Sequence, residues 1–195
     1  MAATDNQPSN KSYLSPLGFR FVLNRTPNTS YFTQNVRLPT LTLGQFDIED
    51  PFVKLPTPGT KLSFEPLDIT FMVDEDMTNY LELHDWLRGL GFPESFDQYG
   101  NLIRQNSASL LTNDSAVFSD GTLMVLSSHQ NANVKIVFED MFPIALSDLS
   151  FDSTLTDVEY LKATVTFRYR VYTIKRFNYE NRASDRDVAA RRQDR

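Results

Sequence analysis

The sequence predicts a mainly β domain of barrel or sandwich type, flanked by one α-helix. Three observations predict it. The chain carries 15 Phe and 8 Tyr among 41% hydrophobic residues, and aromatic side chains suit a half-buried pleated surface. Several segments alternate apolar and polar residues with the period of two that gives a strand one buried face. A single longer stretch, at about residues 76–89, places its apolar residues at helical spacing instead.

The elements follow in order. Residues 1–15 are rich in Asn, Ser and Gln and read as a flexible arm. Phe19, Phe21 and Leu23 then alternate with Arg20, Val22 and Asn24 as a first strand, and residues 25–28 supply a turn. Residues 31–38 and 41–43 are further extended candidates, separated by Pro39, which lacks a ladder donor. Residues 47–59 hold Pro51, Pro56, Pro58 and Gly59 and read as an irregular loop or arm. Leu67, Ile69, Phe71 and Val73 mark a strong strand. Beyond it Met77, Tyr80, Leu81, His84, Leu87 and Leu90 form a helical stripe, with Asp74 or Asp76 as the expected cap and Gly89, Gly91 and Pro93 as the stop. The polar, aperiodic residues 91–115 read as a long loop with at most a helical turn near residues 102–104. Strands are expected at 121–127, 133–139 and 141–151. The clearest lies at 160–173, where Leu161, Ala163, Val165, Phe167, Tyr169 and Val171 share one face. A strand edge of that length invites aggregation unless it is paired, within a barrel or between subunits. The implied organisation is an arm (1–15), a β domain (16–177) and a polar, basic tail (178–195).

Composition narrows the function. The chain lacks cysteine, so neither disulfides nor thiolate metal sites can support it. No apolar run reaches signal-peptide length at the start or the ~18 residues of a membrane span later, so the expectation is a cytosolic protein that leaves only by assembly or lysis and has no membrane partner. The net charge of −6 is uneven: from Lys175 onward seven Lys/Arg meet four acids, a net of +3, which leaves the first 174 residues at −9. An acidic body is unsuited to gripping DNA, because phosphate binding needs clustered Lys and Arg.

A search for chemistry returns no catalytic, cofactor-binding or metal-ligating residues, and no cofactor is expected. The two histidines, His84 and His129, are too few for a His-rich metal centre, and no HExxH, GxSxG, P-loop or GxGxxG motif occurs. Asp74-Glu75-Asp76 lacks the spacing of a calcium loop and reads as helix-start acids. Trp86 reads as core or subunit-contact material. The protein is therefore expected not to be an enzyme.

The order of elements resembles the phage tail-tube protein family, to which the tube proteins of type VI secretion systems are related. The resemblance runs through the first strand, Arg37-Leu38-Pro39, Leu67-Asp68-Ile69-Thr70-Phe71, the helix with Leu81 and Trp86, and Val134-Lys135-Ile136-Val137-Phe138. Met141-Phe142-Pro143-Ile144, Leu149-Ser150-Phe151 and Thr164-Val165-Thr166-Phe167-Arg168-Tyr169 continue it. It implies a structural virion protein forming a hexameric ring of identical subunits, part of a bacteriophage tail tube or its baseplate or terminal junction. It also implies other tube, sheath or baseplate subunits as partners, DNA passing through without specific binding, and assembly in the host cytoplasm. Residues 91–115 and the basic tail look like additions for a specialised ring. A type VI-like tube subunit and a monomeric, small-ligand-binding β-barrel are the alternatives at this stage.

Overall fold

The computed structural model of the chain describes residues 13–105, 117–154, 156 and 159–177. The strongest alternating segments form its central strands. In β5 (Leu67–Met72), Leu67, Ile69 and Phe71 are buried while Asp68, Thr70 and Met72 are not. β5 pairs antiparallel with β8 (Lys162–Arg168), setting Leu67 opposite Phe167, Ile69 opposite Val165 and Phe71 opposite Ala163. These cross-strand pairs are the apolar unit of the sheet. Its other face is held by polar pairs: the Thr70 and Thr164 hydroxyls lie 3.2 Å apart, and the Thr166 hydroxyl donates to Asp68 Oδ1 at 2.7 Å.

Around this pair lie β1 (Phe19–Leu23), β2 (Thr33–Arg37), β6 (Ser119–Leu126), β7 (Ala132–Leu146) and β9 (Val171–Arg176). They form a seven-stranded sheet of order β1-β6-β7-β8-β5-β2, with β9 also pairing β7. Among the described residues this path ends at β1 and β2 and does not close on itself. β3 (Leu41–Glu49) and β4 (Lys54–Phe64) form a separate two-stranded sheet.

By internal contacts the chain divides into two compact units. The larger, Phe21–Thr122 and Val137–Thr173, holds the core of Leu67, Ile69, Phe71, Leu83, Trp86, Phe138, Met141, Val165 and Phe167. The smaller comprises the described parts of Met1–Arg20, Leu123–Ile136 and Ile174–Arg195. In it Leu123 and Ile136 are buried, Leu126 N–H donates to Gly18 O at 2.8 Å, and Phe177 N–H donates to Asn133 O at 3.1 Å.

Several expectations change. Residues 25–28 are not simply a turn: α1 (Pro27–Tyr31) begins there, with Pro at its first positions, where the missing donor does no harm. Most of the expected irregular loop at 47–59 is strand: residues 47–49 end β3, residues 54–59 begin β4, and only 50–53 form the turn between them. The helix α2 runs Thr78–Gly91 and starts after Met77, which takes a left-handed conformation, so neither Asp74 nor Asp76 caps it and its first turn holds no acid. Its buried residues are Asn79, Leu83, Trp86 and Gly89, a stripe rotated from the expected one. A buried asparagine explains the error: Asn79 accepts from Asp74 N–H and donates to Met72 O, satisfying a polar side chain that the apolar pattern could not count.

The long loop expected at 91–115 contains a second helix, α3 (Phe96–Gln105), and residues 106–115 lie outside the described part. Leu102 fits against Gly89 so closely that a Cβ there would lie 2.8 Å from Leu102 Cδ1. The strands expected at 133–139 and 141–151 are one strand, β7, which ends at Leu146, so residues 147–151 are not strand. Asp140 takes a left-handed φ of 55°, and burial shifts from Ile136 and Phe138 to Met141 and Pro143 across it, the change of phase a bulge produces. The strand expected at 160–173 is instead β8 and β9, divided at Tyr169 and Arg170, with Val165, Phe167 and Tyr169 inward as expected.

Candidate assembly interface

The feature that packing among the described residues least explains is the β3–β4 hairpin. Its register runs from Leu41 opposite Phe64 to Glu49 opposite Lys54, with an irregularity between Leu43 and Gln45. Pro56 and Pro58 are tolerated because each strand of a two-stranded ribbon keeps an open edge that needs no donor. Gly59 is required at the irregularity, where a Cβ would lie 2.7 Å from Gly44 O. Every residue of β3 is exposed. Leu41, Leu43, Phe46, Ile48, Leu55 and Leu62 each expose about half their surface, and Phe52 at the tip is 96% exposed. Apolar patches of this extent are rare on a monomer and mark contact sites.

The base of the arm is firmly anchored. The Phe64 ring meets Tyr169 and Tyr172 edge-on, with centroids 6.0 and 5.6 Å away, and Phe138 packs on both tyrosines. The Tyr169 hydroxyl donates to Glu65 O at 2.8 Å. Burial, reinforced by Tyr172, pushes its pKa up to about 12, so the donor stays protonated at physiological pH. Glu65 N–H in turn donates to Thr40 O. Among the described residues, the two terminal strands of the open sheet, β1 and β2, each have an edge without a strand partner.

The remaining candidates have structural surroundings. Trp86 is fully buried, donates from Nε1 to Val117 O at 3.1 Å, and lies beneath the Arg25 guanidinium, 4.6 Å from the ring centre. Burial lowers the Arg25 pKa to about 10. Trp86 is thus core in this chain. His84 is half exposed, its Nδ1 3.5 Å from Asp85, and His129 is exposed in a turn. Asp74 accepts from Glu75 N–H at 2.9 Å, and Asp74, Glu75 and Asp76 are not brought to any site. Burial raises the pKa of Glu82, opposed by the hydrogen bond that Asn28 donates to it. Among the described residues no cluster of three metal-ligating side chains occurs, and no helix is long and apolar enough to cross a membrane. An open groove of about 700 Å³ lies between Gln34, Met72, Asp148, Glu159, Tyr160 and Lys162.

The prolines of residues 47–59 point to an arm; the signal in the sequence that it is a ribbon is the alternation of Leu41, Leu43 and then Phe46, Ile48, which the prolines obscure.

Comparison with known proteins agrees with these features. No curated protein sequence matches the chain. The fold is similar to the tube terminating cap of the anti-feeding prophage, at 15% identity and a TM-score of 0.54, covering 91% of this chain and all of that one. It is also similar to a chain of the sheath–tube complex of an extracellular contractile injection system (15%, TM-score 0.55, 86% and 94% covered). A third likeness is to a chain of the sheath/tube terminator of the same kind of system (15%, TM-score 0.56, 85% and 99% covered). At such identities these likenesses show the fold. The phage tail tube protein family matches residues 7–175, most of the chain. With its mainly antiparallel fold and unpartnered hairpin, the chain belongs to the phage tail tube protein family, whose members are structural tube proteins rather than enzymes.

Proposed function

We propose that the chain builds a closed ring of a contractile or long phage-like tail, in the tube or at its baseplate or terminal junction, and that the ring forms part of a conduit for DNA. The observation that carries this reading is the β3–β4 hairpin, anchored by Phe64 and Tyr169 yet apolar and exposed along its length. Exposed apolar surface of this extent marks a contact site that another chain can cover. A ring repeats one heterologous contact and closes by rotation, so identical subunits can provide that cover. The open ends of the sheet at β1 and β2 support the same reading, since pairing between subunits removes an edge that the described residues leave unpaired. Resemblance to the family suggests six subunits and baseplate proteins as neighbours, and the folds of the terminating cap and the sheath–tube chain suggest tube and sheath proteins as neighbours. The net charge of −9 over the first 174 residues suits a conduit that does not hold DNA. We place the assembled protein in the virion tail, after assembly in the host cytoplasm.

Sedimentation and electron microscopy of the full chain, alone and with its partner tail proteins, test this reading. Rings or stacked rings are expected. A chain that remains monomeric across salt and concentration with every partner would overturn it.

A further inference from the structure

We propose that the corner between α2 and α3 is a binding site for neutral carbohydrate, with an aromatic platform for a sugar ring and a polar groove beside it for the hydroxyls. The inference is independent of the ring reading. Phe92, Phe96 and Tyr99 cluster where the two helices meet: Phe92 stacks on Phe96 with centroids 5.2 Å apart, and Tyr99 meets Phe92 edge-on at 6.2 Å. Phe96 is nonetheless 82% exposed, so one face of its ring stays open. Two backbone features shape this corner. Phe92 ends α2 with a left-handed φ of 33°, at a position where glycine is the usual residue. Gly100 lies inside α3, where glycine weakens a helix, yet a Cβ there would meet nothing within 4 Å. Four positions after Phe96, it shares that residue's side of the helix. The missing side chain leaves a flat shelf next to the ring, which serves the approach of a ligand and not packing.

The polar half is built from side chains that hold one another in place. Arg88 forms an ion pair with Glu94, Gln98 Nε2 donates to Glu94 Oε2 at 3.1 Å, and Glu94 N–H donates to Gln98 Oε1 at 3.4 Å. With Asp85 and Asn101 they line an open groove of about 290 Å³. Each keeps donors or acceptors for a ligand, since guanidinium, carboxylate and carboxamide groups all bond in more than one direction. A pyranose presents the complementary surface: C–H bonds on one face for the negative π face of an aromatic ring, and hydroxyls round its edge for planar polar groups. Other ligands fit less well. Asp85, Glu94 and Asp97 against Arg88 give the corner a net charge of −2, which disfavours ligands bearing phosphate or carboxylate. The stacked rings form a platform and not the cage that encloses a quaternary ammonium. At ~200 Å² per aromatic side chain, the exposed parts of the three come to about 300 Å². That is well short of the ~800 Å² that one partner gives a standard protein interface, and enough for a sugar ring.

Ligand-observed saturation-transfer NMR tests the site on the full-length protein, whether single chains or assemblies are present. The probes are short neutral oligosaccharides of glucose, galactose, mannose and N-acetylglucosamine, with an oligo-arginine peptide as the competing chemistry. At least one sugar is expected to receive saturation, strongest at the C–H protons of one ring face, and to saturate on titration. Phe96→Ala, at an exposed position, should weaken that binding by roughly tenfold or more. Gly100→Leu separates binding from folding. Leucine favours a helix over glycine, so this variant should melt no lower than the parent, while its side chain covers the shelf and weakens sugar binding by a similar factor. Failure of every sugar to receive saturation would overturn the proposal, as would sugar binding that either variant leaves intact. Binding of the peptide alone would also overturn it and assign the corner to a basic protein segment.

Discussion

Phe167 faces Leu67 across the central ladder and is completely buried. Its ring centroid lies 6.0 Å from that of Trp86. Removing that ring leaves a cavity bounded by sheet and helix, so Phe167→Ala should destabilise the fold by about 3–5 kcal/mol in denaturant unfolding. Glu82 gives a pH-dependent counterpart. Burial raises its pKa above the ordinary value of 4.5, so the folded chain holds the proton more tightly than the unfolded chain. Its contribution to stability is therefore fully present below pH 4.5, is lost as pH rises through the raised value, and is constant above that. In Glu82→Gln this part of the pH profile should be flat, as measured by unfolding from pH 4 to 8. An unchanged slope would show that another group produces it. These roles differ in how visible they are in the sequence. The place of Phe167 follows from strict alternation. The surroundings of Glu82 depend on Asn28, 54 positions away, a contact no local pattern contains.

At the scale of elements, the arm is separable from the core. None of its side chains is fully buried, so shortening it between Gln45 and Pro58 to an Asn-Gly turn should preserve the β circular-dichroism spectrum while abolishing rings. The register sets Lys54 opposite Glu49 in the same arm. Lys54→Glu sets like charges directly opposite and should loosen the tip by roughly 0.2–1 kcal/mol, detectable as faster amide exchange there. Most strands were legible because one face is buried and the other is not. Three features were hidden for separate reasons: Asn79 places a polar residue on the core side of α2, Asp140 shifts the phase within β7, and α3 follows Pro93 in a stretch of mixed polarity. The candidate assembly surface was only half legible, since an arm whose side chains beyond Phe64 stay largely exposed among the described residues leaves its purpose to be inferred from exposure, which only three-dimensional structure reveals.

For the whole molecule, the proposed division of labour is that the β body folds alone and the terminal segments serve assembly. Residues 1–15 and 180–195 lack an apolar pattern capable of forming a core. Deleting both should change the melting temperature little and raise the concentration at which rings form in sedimentation. A loss of the folded spectrum would instead assign the ends to the fold. The charge division carries a related expectation: the net +3 from Lys175 onward and −9 before it attract one another between copies only within about a Debye length. Assembly that uses this attraction should weaken between 0.05 and 0.5 M salt, where that length falls from roughly 14 to 4 Å.

The anchored hairpin also has a mechanical meaning. Its nine-residue β3, at ~3.3 Å per residue, is a beam of about 30 Å, clamped at one end by the Phe64, Tyr169 and Tyr172 rings. A small rotation at the clamp becomes a large displacement at Phe52. Load applied along the beam would be shared by its whole ladder at once, whereas load that prises its strands apart would break the bonds singly. In stacked rings such beams would transmit torque from one ring to the next, so that a subunit turning at one end of a tail would drag its neighbours with it rather than slip past them.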